Sequence, residues 1–350
     1  MFSSLPFSLM FFLIMMFGTF FSISSPYWLG IWAGLEINLI GFLPMLVYQK
    51  KMSESESAVK YFIVQAMGSS FLMFGSLMCY NLSFSWEILN DESWTFGLMF
   101  LLCGLFVKMG LFPFHFWLPG VMAGLSWISC LLLATWQKIA PLFLLTVFMV
   151  EDLNYLIMLI VCLFSAGSAL VGGVGGMSQS QLRALLAYSS IGHLGWIMFA
   201  CLHSNWAMKL YFLIYIIISI GLFMNLWYTN FSTLGDLSKF SLNFSSVNLL
   251  IMFLSLGGLP PMLGFISKWV VMSTSVGSLL WGFILVLIIG SLMSLFYYLS
   301  LFFSLFFVSN NKSGATYIIS EKEGFLMSLN VLLNLFGGIL LVSTDLVCML

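Results

Sequence analysis

The sequence contains very little charge. Only 7% of its 350 residues are charged, against about 25% in a typical soluble domain, and Arg183 is the only arginine. A soluble core of this length needs a polar surface, which this composition cannot supply. The net charge of −1 gives no indication of nucleic-acid binding. With 61% hydrophobic residues and a mean hydropathy of +1.10, the chain is predicted to be an integral, polytopic membrane protein.

The sequence also lacks grouped metal ligands and the common catalytic motifs. Its six cysteines are scattered singly and it has only three histidines, so zinc, iron–sulfur and haem sites are not predicted. The glycine-rich stretch "GSALVGGVGGMSQSQLR" fits neither a dinucleotide-binding fingerprint nor a P-loop. No arrangement typical of hydrolases stands out. We therefore expect no cofactor and no bound metal in this chain, and no electron transfer through it.

Long apolar runs fill most of the chain. A hydrocarbon core about 30 Å thick requires roughly 20 helical residues. On that scale the sequence predicts about eleven transmembrane helices, near 5–23, 27–48, 58–81, 95–118, 122–149, 152–174, 180–202, 207–229, 243–275, 278–308 and 325–347. The polar stretches between them are short, which predicts one all-α transmembrane domain over 1–350. Within it we distinguish a first five-helix block at 1–150, a second at 151–308, and a loop with a C-terminal helix at 309–350.

The distribution of positive charge predicts the orientation. With eleven alternating spans, one side of the membrane collects seven basic residues, namely Lys50, Lys51, Lys60, Arg183, Lys239, Lys312 and Lys322. The opposite side collects only Lys209. Positive loops stay on the cytoplasmic or matrix side, which places the N-terminus there and the C-terminus on the opposite side. The N-terminal run has neither a basic start nor a transit sequence rich in Arg and Ser, so we interpret it as a retained span.

Four ionisable residues lie inside predicted spans: Glu36, Lys108, Lys138 and Lys268. A charged side chain at the membrane centre costs about 2.5–3.5 kcal/mol on insertion scales. Lysines near helix ends often extend to the interface instead, but Lys138 lies deep within its apolar run. These residues are therefore predicted to be functional.

Two spans carry prolines and glycines within their hydrophobic length, "FVKMGLFPFHFWLPG" and "LSLGGLPPMLGFISKW". They are the fourth and ninth spans, so each is the fourth member of its five-helix block. Matched broken helices are typical of inverted-repeat transporters, whereas an ordinary proline kink would explain only one of them. The carbonyls released by a break can hold water or a lysine ammonium at membrane depth.

Four motifs, "KMGLFPFHFWLPGV", "TWQKIAPL", "LRALLAYSSIGHLGW" and "LSLGGLPPMLGFISKW", together resemble the NADH-ubiquinone oxidoreductase chain 2 family. Its members are mitochondrially encoded, antiporter-like membrane subunits of respiratory complex I. The resemblance runs over residues 27–300 in the right order. It implies eleven helices in an animal member and a role in proton translocation.

The resemblance also implies a chain of buried proton-relay residues, at Glu36, Lys108, Lys138, Lys268, His193 and His115. In that chain Glu36 pairs with Lys108, Lys138 is the central bridging lysine, and Lys268 is the terminal one on the second broken helix. Burial favours the neutral form of a lysine, while a nearby carboxylate favours the charged form. A shift of the Glu36 charge relative to Lys108 is thus expected to load or unload a proton.

The resemblance further implies the setting of this chain. It places the chain in the mitochondrial inner membrane, with its N-terminus on the matrix side and its C-terminus on the intermembrane-space side. Its expected partners are other membrane-arm subunits of complex I, including neighbouring antiporter-like subunits, together with lipids, protons and water. NADH, FMN, iron–sulfur clusters and ubiquinone would be used by other subunits of the complex.

Two other functions share these sequence features. A free-standing cation/proton antiporter subunit would have the same fold, and a purely structural subunit could retain the lysines without pumping. Co-purification of the chain with NADH-oxidising subunits distinguishes a complex I subunit from a free-standing antiporter. Measurement of proton pumping per electron after removal of the lysines distinguishes a pumping subunit from a structural one.

Overall fold

The computed structural model describes residues 7–48, 51–83, 95–149, 155–237, 244–276, 280–309, 328 and 330–335. Within these residues the secondary structure is helical, apart from one isolated antiparallel bridge between Gln181 and Thr233. The chain divides into two compact units, Met1–Ile160 and Val161–Leu350.

Among its described residues the first unit contains seven complete helices: α1 (Ser8–Ser24), α2 (Trp28–Leu46), α3 (Met52–Ser83), α4 (Thr95–Met109), α5 (Trp117–Gly124), α6 (Trp127–Ala134) and α7 (Trp136–Met149). Helix α1 packs mainly on α2, and α3 packs mainly on α4. The α3–α4 contact is close because both helices carry glycine there. A Cβ on Gly104 would lie 2.9 Å from the Gly68 carbonyl oxygen.

The second unit contains α9 (Leu182–His203), α10 (Asn205–Thr229), α11 (Leu234–Leu237), α12 (Phe244–Gly257), α13 (Leu263–Ser275) and α14 (Gly282–Ser309). It also includes most of α8 (Tyr155–Met177), which begins before the boundary. Helix α10 packs against α9, α12 and α13, and α12 packs against α14. Residues 330–335 are helical as well.

These helices confirm the prediction of an all-α polytopic membrane fold. Seven helical stretches in the described residues are long and apolar enough to cross a membrane. Apolar side chains also face outward, as do Phe17 and Phe20 on α1, which are 61% and 63% exposed. The count of eleven spans stays a prediction, because the eleventh lies mostly outside the described residues. The division at 150 and 308 and the inverted repeat stay predictions too.

Both predicted helix breaks are present. The first separates α4 from α5 and the second separates α12 from α13. Each begins at a glycine with positive φ, 76° at Gly110 and 77° at Gly258. Residues other than glycine rarely adopt this backbone conformation. Each break also holds one cis peptide bond, Phe112–Pro113 and Pro260–Pro261.

The same backbone hydrogen bonds close both half-helices. The Leu111 amide donates to the Phe106 carbonyl at 3.1 Å, five residues back. The Leu259 amide donates to the Leu254 carbonyl at 3.3 Å over the same spacing. This arrangement, with glycine at the turn, is the Schellman C-cap. The chain therefore ends both half-helices by one local mechanism.

The predicted fifth span differs from expectation. The sequence predicts a single span at 122–149, but the structure interrupts it at Thr135, between α6 and α7. The Thr135 hydroxyl donates to the Leu131 carbonyl at 2.7 Å, a contact that bends helices. Pro141 has no amide hydrogen to donate to the Gln137 carbonyl. The first turn of α7 thus follows a bend and lacks one backbone hydrogen bond.

Candidate functional site

Glu36 and Lys108 lie together in the first unit. Glu36 extends from α2 and Lys108 from the last turn of α4, and their Oε1 and Nζ atoms are 3.6 Å apart. The Lys108 side chain is 4% exposed, whereas that of Glu36 is 26% exposed. The separation exceeds a hydrogen bond of about 2.7–3.2 Å. The two groups therefore form a loose ion pair, in which the lysine is the more deeply buried partner.

The break after Lys108 leaves carbonyl groups that side chains satisfy. The Gln65 amide donates to the Lys108 carbonyl at 3.4 Å, and the Trp117 indole donates to the Val107 carbonyl at 3.1 Å. Room for the lysine comes from Gly68, where a Cβ would lie 3.1 Å from Lys108 Cγ. Neighbouring helices thus hold both the backbone and the side chain of this turn.

His115 lies within the first break. Its Nδ1 is 3.2 Å from the Pro113 carbonyl, and its ring lies against Phe112 and Phe116, with centroids 6.0 Å and 4.1 Å away. It is 4% exposed. These contacts are all local to the break, and they indicate a part in shaping it.

Lys138 lies in the first turn of α7 and is 2% exposed. Beside it in sequence, Gln137 forms a reciprocal pair of hydrogen bonds with Asn38 of α2. Asn38 Nδ2 donates to Gln137 Oε1 at 2.9 Å, and Gln137 Nε2 donates to Asn38 Oδ1 at 3.2 Å. The Tyr61 hydroxyl of α3 donates to the same Gln137 Oε1 at 3.4 Å. We refer to Asn38, Gln137 and Tyr61 as the amide bridge.

Lys268 occupies the second break. It extends from α13 toward the end of α12, where its ammonium donates to the Gly257 carbonyl at 2.9 Å. The residue is 6% exposed. A Cβ on Gly258 would lie 2.9 Å from Lys268 Nζ, so a side chain there would displace the ammonium. A carbonyl released by the break therefore holds the lysine ammonium, as the sequence suggested it could.

His193 of α9 lines the same recess as Lys268. Small or hydroxyl-bearing residues contribute much of the wall of this recess, namely Ala169, Gly173, Ser189, Gly192, Gly290, Ser291 and Ser294, with Trp196. His193 Nδ1 is 2.9 Å from the Tyr211 hydroxyl of α10. The Tyr215 ring lies 5.3 Å from the imidazole, between centroids. Tyr211 thus fixes the orientation of the histidine beside the lysine.

Four of the six predicted site residues form two groups in the structure, and Lys138 and His115 belong to neither. Glu36 and Lys108 are in contact in the first unit, and His193 and Lys268 share a recess in the second. In the part of the chain that the structure describes, no three His, Cys, Asp or Glu residues come together as a possible metal site. The sequence reasoning missed Gln65, Tyr211 and the amide bridge. Polar residues inside apolar spans were the available signal, notably Tyr61 and Gln65 four residues apart on α3.

Comparison with known proteins decides the family. The family model described as NADH:quinone oxidoreductase/Mrp antiporter, TM, matches residues 25–296. The NADH-ubiquinone oxidoreductase chain 2 of Locusta migratoria is 37% identical over 344 residues, covering 96% of each chain. The chain belongs to the NADH-ubiquinone oxidoreductase chain 2 family. The chain 2 protein of Lumbricus terrestris is 40% identical and covers 82% of this chain and 83% of its own.

Solved structures agree with membership of the NADH-ubiquinone oxidoreductase chain 2 family. A chain of the respiratory complex I of Thermus thermophilus superposes with a TM-score of 0.79 at 25% identity, over 97% of this chain and 78% of that one. A chain of an archaeal membrane-bound sulfane sulfur reductase reaches a TM-score of 0.85 at 19% identity, over 96% of this chain and 73% of its own. The latter likeness concerns the fold alone. The family resemblance read from the four motifs is confirmed.

Proposed function

We propose that this chain is a core membrane subunit of respiratory complex I and takes part in moving protons across the mitochondrial inner membrane. The translocation is coupled to ubiquinone reduction in other subunits. The chain itself carries no electrons and contributes translocase activity only as part of the NADH:ubiquinone oxidoreductase. Membership of the family supports this assignment, and the arrangement of the buried ionisable residues supports the part played by this chain.

The observation that carries the proposal is the Glu36–Lys108 pair. Two opposite charges 3.6 Å apart hold the lysine in its charged form, since a nearby carboxylate offsets the cost of burial. When the pair opens, the buried lysine loses that compensation and its neutral form becomes favourable. Opening and closing of the pair therefore releases and takes up a proton at the end of α4.

The second unit supplies a different lysine site for the same relay. Lys268 is held by the partial negative charge of the Gly257 carbonyl rather than by a carboxylate. His193 and the hydroxyls of Ser189, Ser291 and Ser294 line the recess beside it. Such groups donate and accept hydrogen bonds, so the recess can hold water that passes protons. The proposed relay thus has a part in each unit, with Lys138 as its central bridging lysine and His115 as a relay residue within the first break.

The proposed location of the chain is the membrane arm of complex I. Its partners are other membrane-arm subunits, including antiporter-like ones, together with lipid. NADH, FMN, iron–sulfur clusters and ubiquinone act in other subunits. The seven-to-one bias of basic residues supports an N-terminus in the matrix and a C-terminus in the intermembrane space. A protease-accessibility assay that found both termini on one side would contradict this orientation.

The test of the proposed function is Lys138→Met in the assembled complex. Methionine keeps most of the side-chain volume, so we expect near-normal assembly. Proton pumping and coupled ubiquinone reduction should fall by roughly a hundredfold, the loss typical of a proton-transferring group. Both are measured in sealed membranes with NADH as electron donor.

Lys60→Met serves as the matched control, because Lys60 is exposed on α3 and pairs with Glu56 one turn away. We expect it to behave as the unchanged protein. Unaltered pumping per electron in Lys138→Met would favour a scaffold role instead. Purification of the chain without NADH-oxidising subunits would favour a free-standing antiporter.

A further inference from the structure

The amide bridge connects the helices that carry the ionisable residues of the first unit. Asn38 is on α2 with Glu36, Gln137 is on α7 with Lys138, and Tyr61 is on α3. One turn after Tyr61, Gln65 holds the Lys108 carbonyl at 3.4 Å. The bridge and the Glu36–Lys108 pair therefore share α2 and α3 as supports.

The geometry of the bridge is specific. Each amide both donates to and accepts from the other, at 2.9 Å and 3.2 Å, and Tyr61 adds a third donor at 3.4 Å. Asn38 is 3% exposed and Tyr61 is 2% exposed. Buried amides that lose a partner are costly, while interhelical amide bonds hold membrane helices together. The bridge is therefore a fixed contact rather than an occasional one.

The turn that carries Lys138 depends on such a contact. Helix α7 starts after the interruption at Thr135, and Pro141 cannot complete the hydrogen bond to the Gln137 carbonyl. The turn follows a bend and lacks one backbone hydrogen bond, so side-chain contacts contribute to its position. Gln137, next to Lys138, is the residue there that forms three hydrogen bonds to other helices.

We propose that the amide bridge is a positioning element of the proton relay, which holds the Lys138 turn in register with the helix of Glu36. Displacement of α2 when the Glu36–Lys108 pair opens is transmitted to Lys138 through Asn38 and Gln137. The bridge does not itself exchange protons. This inference rests on the proposed function, because it assigns to three further residues the placement of the central lysine.

The test compares single with paired substitutions in the assembled complex. Gln137→Met alone leaves the buried Asn38 amide without its partner, and Asn38→Leu alone leaves the half-buried Gln137 with Tyr61 only, so both assembly and turnover should fall. In the double variant Asn38→Leu/Gln137→Met neither amide remains and Tyr61 loses only its long 3.4 Å bond, so we expect most of the assembly to recover. Coupled NADH oxidation per assembled complex should stay about tenfold low, since a small misplacement of a reacting group commonly costs one to two orders of magnitude.

The exchange variant Asn38→Gln/Gln137→Asn restores two complementary amides of the same total length. We expect it to regain most of the lost turnover. Gln179→Met, a change of the same type at a glutamine that contacts Ser178, is the matched control and should have no effect. Normal turnover in the apolar double variant would overturn the inference, because packing alone would then suffice. If the apolar pair does not assemble, an exchange variant as slow as the single ones would overturn it.

Failure of this inference can be distinguished from failure of the proposed function. Loss of pumping in Lys138→Met with normal turnover in the apolar double variant removes the positioning role and leaves the relay intact. Normal pumping in Lys138→Met removes the relay itself, and the positioning role with it.

Discussion

The two helix breaks use the same backbone structure but hold their lysines differently. In both, a glycine near φ 76–77° ends the first half-helix with the same pattern of hydrogen bonds. In the first, Lys108 lies before the glycine and faces a carboxylate from α2 at 3.6 Å. In the second, Lys268 lies after the break, and its ammonium binds the Gly257 carbonyl at 2.9 Å. One break therefore positions a charge pair, and the other positions a charge against a backbone dipole.

This difference has a consequence for control of the two lysines. A carboxylate carries a full charge on a side chain that can move, so its effect on Lys108 can be switched. A backbone carbonyl is part of the break and its position changes only when the break itself changes. We infer that the first site is suited to start a change in protonation and the second to respond to one.

The largest expected effect comes from the charge pair. Removing one partner of a buried ion pair typically costs about 3–5 kcal/mol. Glu36→Gln leaves a lysine that is only 4% exposed without its carboxylate, and Lys108→Met removes the proton-carrying group itself, so we expect the two changes to impair turnover to a similar degree. The measurement is coupled NADH oxidation and pumping per assembled complex.

The double variant Glu36→Gln/Lys108→Met tests whether the two residues act in one step. If they do, its loss should be far smaller than the product of the single losses. Losses that multiply would show two independent residues and would remove the switch from the first break.

A smaller difference is expected between substitutions of Gly110 and Gly258, the glycines at which the two breaks begin. Gly110→Ala and Gly258→Ala impose the same left-handed strain, about 1–2 kcal/mol each, so we expect similar losses of assembled complex. Their neighbours differ, because a Cβ at 258 would lie 2.9 Å from Lys268 Nζ, whereas one at 110 would lie 2.9 Å from Leu118 Cδ1. Gly258→Ala should therefore slow turnover per assembled complex more than Gly110→Ala. Equal turnover in both would argue that the position of Lys268 against the break is unimportant.

The smallest effect concerns the orientation of His193. Tyr211→Phe removes the hydroxyl that lies 2.9 Å from His193 Nδ1 and keeps the packed ring. The loss of one hydrogen bond, about 0.5–1.5 kcal/mol, predicts a two- to tenfold slower turnover with normal assembly. Tyr215→Phe, next to the same imidazole, is the comparison variant and should have the smaller effect. The reverse order would indicate that Tyr215 orients the histidine.

Much of the fold could be predicted from the local chemistry of the sequence. Apolar runs of helical length predicted the spans, and glycine followed by proline predicted both breaks, since these residues act on the backbone that contains them. The same reasoning failed at Thr135. The hydroxyl of a threonine can donate a hydrogen bond to a carbonyl of its own helix with or without bending that helix. The surrounding residues decide which happens.

Only part of the candidate site could be predicted from the sequence. Lysines and a glutamate in apolar spans stood out because charge is costly there. Asn38, Tyr61, Gln65 and Gln137 did not, because neutral polar residues cost less in a membrane and give no sign of their partners. Their contacts cross 99, 76 and 43 positions of the chain.

The sequence by itself determined that this chain is a membrane protein, where its two glycine- and proline-containing spans break, and which of its residues carry charge at membrane depth. Composition and local backbone chemistry are properties of short segments, so they need no knowledge of the fold. Only the tertiary structure decided which charge has which partner: a carboxylate for Lys108, a carbonyl for Lys268, and an amide bridge beside Lys138. Partners are set by packing between distant segments, and that packing is not encoded in any one of them.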